Sequence, residues 1–167
     1  MNLQLKNVHF SERLSQETNA FAADVFFNGK KVGYAENDGH GGCTNVGAYP
    51  EKRDEFNEAC EYAKSLPEIV YEGSGGLDGF SINSNMENQV DELFNKWLDK
   101  KEIQQNSAKG IFYEKPNGTR ATTYWKGWSI KKLLETPQGR ATVKNAINRL
   151  QKDGNTILNT NLGVLLS

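Results

Sequence analysis

A chain of 167 residues, 37% hydrophobic and 25% charged, has the usual size of one domain, about 100–200 residues, and can bury roughly 70% of the surface its unfolded form exposes. No apolar run approaches the roughly 18–20 residues of a membrane span. The first residues lack the apolar core of a signal peptide, and Cys43 and Cys60 are too few for a disulfide framework.

Net charge is −1, yet residues 1–95 hold 7 Lys and Arg against 16 Asp and Glu, while residues 96–167 hold 13 against 5. Such a division points to polyanion binding, or to halves that meet within a chain or in a homo-oligomer. A soluble protein in a reducing, cytoplasmic setting is expected, with no membrane partner.

Leu3 to Phe10 alternates apolar positions and predicts a first strand. Polar Ser11 to Asn19 reads as a loop, with Ser15 and Thr18 available for local capping. Asn19 to Phe27 is a second strand, and Asn28-Gly29 signals a type I′ hairpin, because both central positions need positive φ. Closing the turn there sets Phe27 opposite Lys30, Val25 opposite Val32, Ala23 opposite Tyr34 and Phe21 opposite Glu36. One face then collects Phe21, Ala23, Val25, Phe27, Val32 and Tyr34 for the core.

The glycine stretch Asn37-Asp38-Gly39-His40-Gly41-Gly42-Cys43-Thr44 follows, and Asn45 to Pro50 continues as loop. Glu51 to Leu66 has Phe56, Ala59, Cys60 and Ala63 at helical spacing, and Pro67 stops it. Ile69-Val70-Tyr71 suggests a short strand, and Glu72 to Asn85 reads as a loop with the glycines expected of a mobile segment. Met86, Val90, Leu93, Phe94, Trp97 and Leu98 form an apolar stripe predicting a helix to about Glu102.

Ile111 to Lys115 and Arg120 to Lys126 flank Pro116-Asn117-Gly118 as a second hairpin. Ser129 is an N-cap for a short helix through Glu135. Pro137 sits in the first turn of a helix running to Lys152, with Val143, Ala146, Ile147 and Leu150 on one face. Gly154 ends it, and Thr156 to Leu158 is a last strand. The expectation is a single α+β domain over residues 1–167: an N-terminal antiparallel hairpin sheet, two or more packed helices and a C-terminal hairpin.

Three chemistries compete at the glycine stretch. Gly39, Gly41 and Gly42 allow successive amides to converge on an anion such as phosphate, with Asn37, Asp38, His40 and the Thr44 hydroxyl beside them. Alternatively, Cys43 is a nucleophile with His40 as base and Asp38 or Asn37 orienting the imidazole. A metal site is the poorest fit, because one His, one Cys and one Asp lack the spaced pairs of a zinc site. Against all three stands a structural role, in which the glycines supply positive φ for a bulged turn, Cys43 is a small buried residue and His40 lies at the surface. No cofactor and no metal are expected.

The basic half interleaves its cations with Trp97, Phe112, Tyr113, Tyr124, Trp125 and Trp128. Cations hold phosphates and rings stack on bases, at about 1–3 kcal/mol per base. The densest piece, with Lys109 among the cations before it, is Arg120-Ala121-Thr122-Thr123-Tyr124-Trp125-Lys126-Gly127-Trp128, with Arg120, Tyr124, Trp125 and Lys126 as candidate ligands, against a solvated lysine face as the plain alternative. On a strand, Tyr124 and Trp125 face opposite ways.

Two pieces of the chain resemble one family. Ser15-Gln16-Glu17-Thr18, Phe21, Asn28-Gly29-Lys30-Lys31-Val32-Gly33 and Asn37-Asp38-Gly39-His40-Gly41-Gly42, then Trp125-Lys126-Gly127 and Ile157-Leu158-Asn159-Thr160-Asn161-Leu162, are similar to small bacteriophage and mobile-element proteins with no established chemistry. The resemblance implies an accessory protein in a bacterial host that binds and neutralises a defence component. Combined with the residues, it gives the expectation of a non-enzymatic binder of a nucleotide signal or nucleic acid. A protein-interaction inhibitor of a host enzyme, or a thiol enzyme on Cys43, His40 and Asp38, stands as the alternative.

Overall fold

The computed structural model describes residues 1–71, 73 and 78–163. The chain folds as α+β and divides into two compact units, residues 1–96 and 97–167. Among the described residues, no helix is long and apolar enough to cross a membrane.

The first unit is built on a four-stranded antiparallel sheet in sequence order, β1 (Leu3–Ser11), β2 (Ala20–Phe27), β3 (Lys30–Asn37) and β4 (Asn45–Ala48). The β2–β3 turn is the expected one, with φ of 47° at Asn28 and 81° at Gly29. Asn2 and Asn28 tie the start of β1 to it, the Asn2 amide donating to Asn28 Oδ1 at 3.0 Å.

The predicted register holds only next to the turn. Phe27 faces Lys30 and Phe26 faces Lys31, but Val25 then faces Gly33, Asp24 faces Tyr34 and Ala23 faces Ala35. A bulge absorbs one residue of β3 at Val32 and reverses the faces beyond it. Val32 and Ala35 are therefore both buried, and Ala35 takes the core place expected for Tyr34. Tyr34 turns to the opposite face, where its ring centroid lies 6.1 Å from that of Tyr49. Beyond the bulge the strand needs glycine at position 33, because a Cβ there would collide with the Gly47 carbonyl oxygen and fall 2.9 Å from the Phe56 ring.

The expected loop after Thr44 is instead strand β4, which pairs with β3 from Glu36–Asn45 to Gly33–Ala48. A 3-10 turn (Pro50–Lys52) leads into helix α1 (Arg53–Ser65), which sets buried Ala59 and Ala63 against β2 and β3. Strand β5 (Ile69–Tyr71) pairs with β6 (Phe80–Ile82), a strand within the stretch expected to be loop. Residues 72 and 74–77 of that loop, with the expectation of its mobility, lie outside the described residues.

Helix α2 (Met86–Lys109) outlasts its predicted end by seven residues, and the unit boundary falls inside it. Its apolar stripe reaches only to Leu98, but the residues that follow are good helix formers. Within the first unit, Val90 and Phe94 are buried, and the Phe94 ring stacks on Phe21 with centroids 3.9 Å apart. Such a pair contributes about 0.5–1.5 kcal/mol beyond its buried area.

The second unit has a three-stranded antiparallel sheet in the order β8 (Arg120–Thr123), β7 (Ile111–Glu114), β9 (Thr156–Ile157), with helices α3 (Ile130–Leu134) and α4 (Pro137–Lys152). Both N-caps bond as hydroxyl caps do: Ser129 accepts from the Lys132 amide and Thr136 from the Gly139 amide. The core gathers Ile111, Ile130, Leu133, Val143, Ile147 and Leu162. Buried Asn159 fastens the last segment by accepting from the Phe112 amide at 2.6 Å and donating to the Gly110 carbonyl at 2.9 Å.

Candidate functional site

The glycine turn is rigid and occupied by its own chain. Gly39 and Gly41 have φ of 87° and 91°, values open to glycine but costly for other residues. The Gly39 carbonyl accepts from the amides of Gln16, Glu17 and Thr18, so this turn and the Ser11–Asn19 loop are locked together. Asn37 is the organiser: its Oδ1 accepts from the Gly39 amide and the Thr18 hydroxyl, both at 2.9 Å, and its Nδ2 donates to the Gly42 carbonyl at 3.0 Å.

These bonds overturn the anion nest. The amides of Gly39, His40 and Gly41 donate to Asn37 Oδ1, Asp38 Oδ1 and Thr18 Oγ1, so they do not converge on an open point. The surroundings are also acidic, with the Glu17 carboxylate against Gly41 and Glu87 and Asp91 beside Cys43 and Thr44. Thr44 is buried and donates to Asp91 Oδ1 at 2.5 Å instead of facing a ligand. Burial pushes the Asp91 carboxyl up from its ordinary range, the Thr44 bond opposes that, and the Glu87 charge adds to it.

The thiol reading meets the same acidity. Cys43 is exposed, not buried, and its sulfhydryl hydrogen-bonds Glu87, which pushes the thiol pKa up. A nucleophilic cysteine needs the opposite shift, supplied by cations or helix N-termini. His40 Nδ1 lies 3.5 Å from Asp38 Oδ1, so one expected pair of the three exists, but on an exposed turn. Among the described residues, no group of three or more His, Cys, Asp or Glu could hold a metal ion.

The basic hairpin divides differently from its expected alternation. Strand β8 ends at Thr123, and Trp125 to Trp128 form a second turn, closed by the Trp128 amide donating to the Trp125 carbonyl at 3.0 Å with Gly127 at φ 79°. Trp125 packs on the core cluster, while Tyr124 and Trp128 are 70% and 55% exposed. With Lys109, Lys126 and Asn106 they line a hollow of about 620 Å³ that, among the described residues, no carboxylate lines. Lys131 and Lys132 are exposed in the next helix.

Arg120, by contrast, is an internal hub. Its guanidinium bonds Asp99, Glu102 Oε2 at 2.7 Å and Glu114 Oε2 at 3.2 Å, and these carboxylates push its pKa further up. Three anions already surround it, so it is not a free phosphate ligand. Of the expected group, Tyr124, Trp125 and Lys126 come together, and Arg120 does not join them. Trp128 and Lys109, part of the expected basic-aromatic half but not among its candidate ligands, join them, and Asn106 was missed. The signal for Trp128 was present in Trp125-Lys126-Gly127-Trp128, where glycine at the third place of a turn sets the two tryptophans across from each other.

No family model matches this chain, and comparison with curated proteins and with solved structures returns no match.

Proposed function

We propose that this chain is a non-enzymatic binding protein that captures a nucleotide or a short single-stranded nucleic acid on the Tyr124–Ser129 turn. The observation that carries it is the pair of exposed rings, Tyr124 and Trp128, at a lysine-bearing hollow that no carboxylate among the described residues lines. Rings of this kind accept any base by stacking, and lysines beside them take the phosphates. The context implied by the family resemblance, an accessory protein that sequesters a signal or nucleic acid of a host defence, belongs to the same proposal.

Titration of cyclic and linear nucleotides and of short RNA and DNA, over a salt series, tests it. Trp128→Ala is expected to weaken binding by about 1–3 kcal/mol, and Lys126→Gln to make the salt dependence shallower by about one unit. Absence of binding to every probe at low salt would remove the reading. A protein-interaction role is the second reading, favoured by the exposed Val70 and Phe80 of the β5–β6 ribbon; it would then take precedence.

A further inference from the structure

A second hollow lies in the first unit, on the sheet face opposite the core. Directly paired residues of antiparallel strands share a face, and the pairings His9–Ala22, Ala22–Glu36 and Glu36–Asn45 form one row across all four strands. Of the two inner positions of that row, Ala22 carries only a methyl group, so the sheet is low there, with Glu36 beside it. Ala20, the next β2 residue on this face, is buried, and a Cβ on Gly39 would fall 2.9 Å from its methyl.

The Ser11–Asn19 loop and the glycine turn border this low floor, and Leu14 is held at its edge, 56% exposed. Because the Gly39 carbonyl ties the two segments together, the walls are set before any ligand arrives. The result is a trough of about 700 Å³, inside the roughly 300–1,000 Å³ of small-molecule sites.

Its charge has one sign. Glu36 and Asp38 line it, together with His9, His40 and Cys43, and among the described residues no Lys or Arg lines it. Among the described residues, Glu36 accepts a neutral amide, from Asn45 Nδ2 at 3.0 Å, and pairs with no Lys or Arg. The bond from the His40 amide holds the Asp38 carboxyl below its ordinary range, so it is ionised at neutral pH. Asp24, the other carboxylate of this face, is already bound by Lys31 at 2.9 Å and by the Tyr49 hydroxyl at 3.1 Å.

We infer that this trough is a binding site for a small apolar cation, an organic amine whose hydrocarbon or aromatic body lies over Ala20 and Ala22 beside Leu14 while its ammonium faces Glu36 and Asp38. The apolar floor supplies affinity and the two carboxylates supply selectivity. The site is independent of the nucleotide reading, which concerns the other unit and the opposite charge.

Three probes of one shape and different charge test it: tryptamine, tryptophol and indole-3-acetate, titrated into the full chain and followed by amide NMR shifts. Tryptamine is expected to shift the Leu14, Ala22 and Gly42 amides saturably, and to bind roughly tenfold more tightly than indole-3-acetate, with tryptophol between them. The pair Glu36→Gln and Asp38→Asn, which keeps the acceptor for the His40 amide, is expected to level that order. Ala22→Trp, placed on the solvent side of the sheet, is expected to fill the trough and abolish the shifts while the thermal unfolding curve stays close to that of the parent. The inference is overturned by shifts confined to the Trp125–Trp128 turn, by no saturable shift, by a flat or reversed order, or by an order that survives loss of both carboxylates.

Discussion

Two glycines, one in the β2–β3 turn and one in the glycine turn, show how differently one residue type is used. Gly29 and Gly39 both have positive φ, yet Gly29 has open space where a Cβ would stand, and Gly39 has the Leu14 carbonyl and the Ala20 methyl. Gly29→Ala is therefore expected to cost about 1 kcal/mol, the backbone term alone. Gly39→Ala is expected to cost about 2–4 kcal/mol, because the Ser11–Asn19 loop must also move. Urea denaturation of the two variants measures the difference.

Asp91 invites a test with a definite sign. Its folded pKa lies above the unfolded value, chiefly through burial, so the folded state holds more protons and stability falls as pH rises through that interval. Asp91→Asn keeps an acceptor for the Thr44 hydroxyl and removes the buried charge. It is expected to raise the urea midpoint at pH 7 and to leave it unchanged at pH 3, where the parent carboxyl is protonated in both states.

At the scale of elements, hairpin β7–β8 is held to the second unit's part of α2 by Arg120 and its three carboxylates. Arg120→Met leaves Asp99, Glu102 and Glu114 facing one another without a cation. The expected cost is about 1–2 kcal/mol, kept low by solvent at these half-exposed acids. Thermal unfolding measures it. Binding of nucleotides is expected to be unchanged in the folded variant, in contrast to Trp128→Ala.

Elements were legible where local chemistry decides them. Asn28-Gly29 gave the hairpin, Ser129 and Pro137 gave the helix starts, and the apolar stripe from Met86 gave α2. The bulge at Val32 was not legible, because Gly33 beside it is packed against Gly47 of β4 and Phe56 of α1, residues that the hairpin sequence does not contain. Strand β4 was hidden for the same reason: Asn45 to Ala48 carries little strand propensity and exists as a strand by pairing with β3.

For the molecule as a whole, the division of charge along the sequence is the property with the most consequences. The acidic stretch holds the trough lined by Glu36 and Asp38, and the basic stretch holds the hollow lined by Lys109 and Lys126. The two sites of opposite preference proposed above follow from that division. Residue order alone established the α+β class, most element positions and the charge division, because periodicity, caps and counts are properties of near neighbours. Which groups remain open to a ligand was decided only by tertiary structure. The Gly39 and Gly41 amides were consumed by Asn37 and Thr18, Arg120 by three acids, and Trp128 was left to solvent. A polar group's partner is whatever the fold brings within bonding distance, and in these cases the partners come largely from residues far apart along the chain.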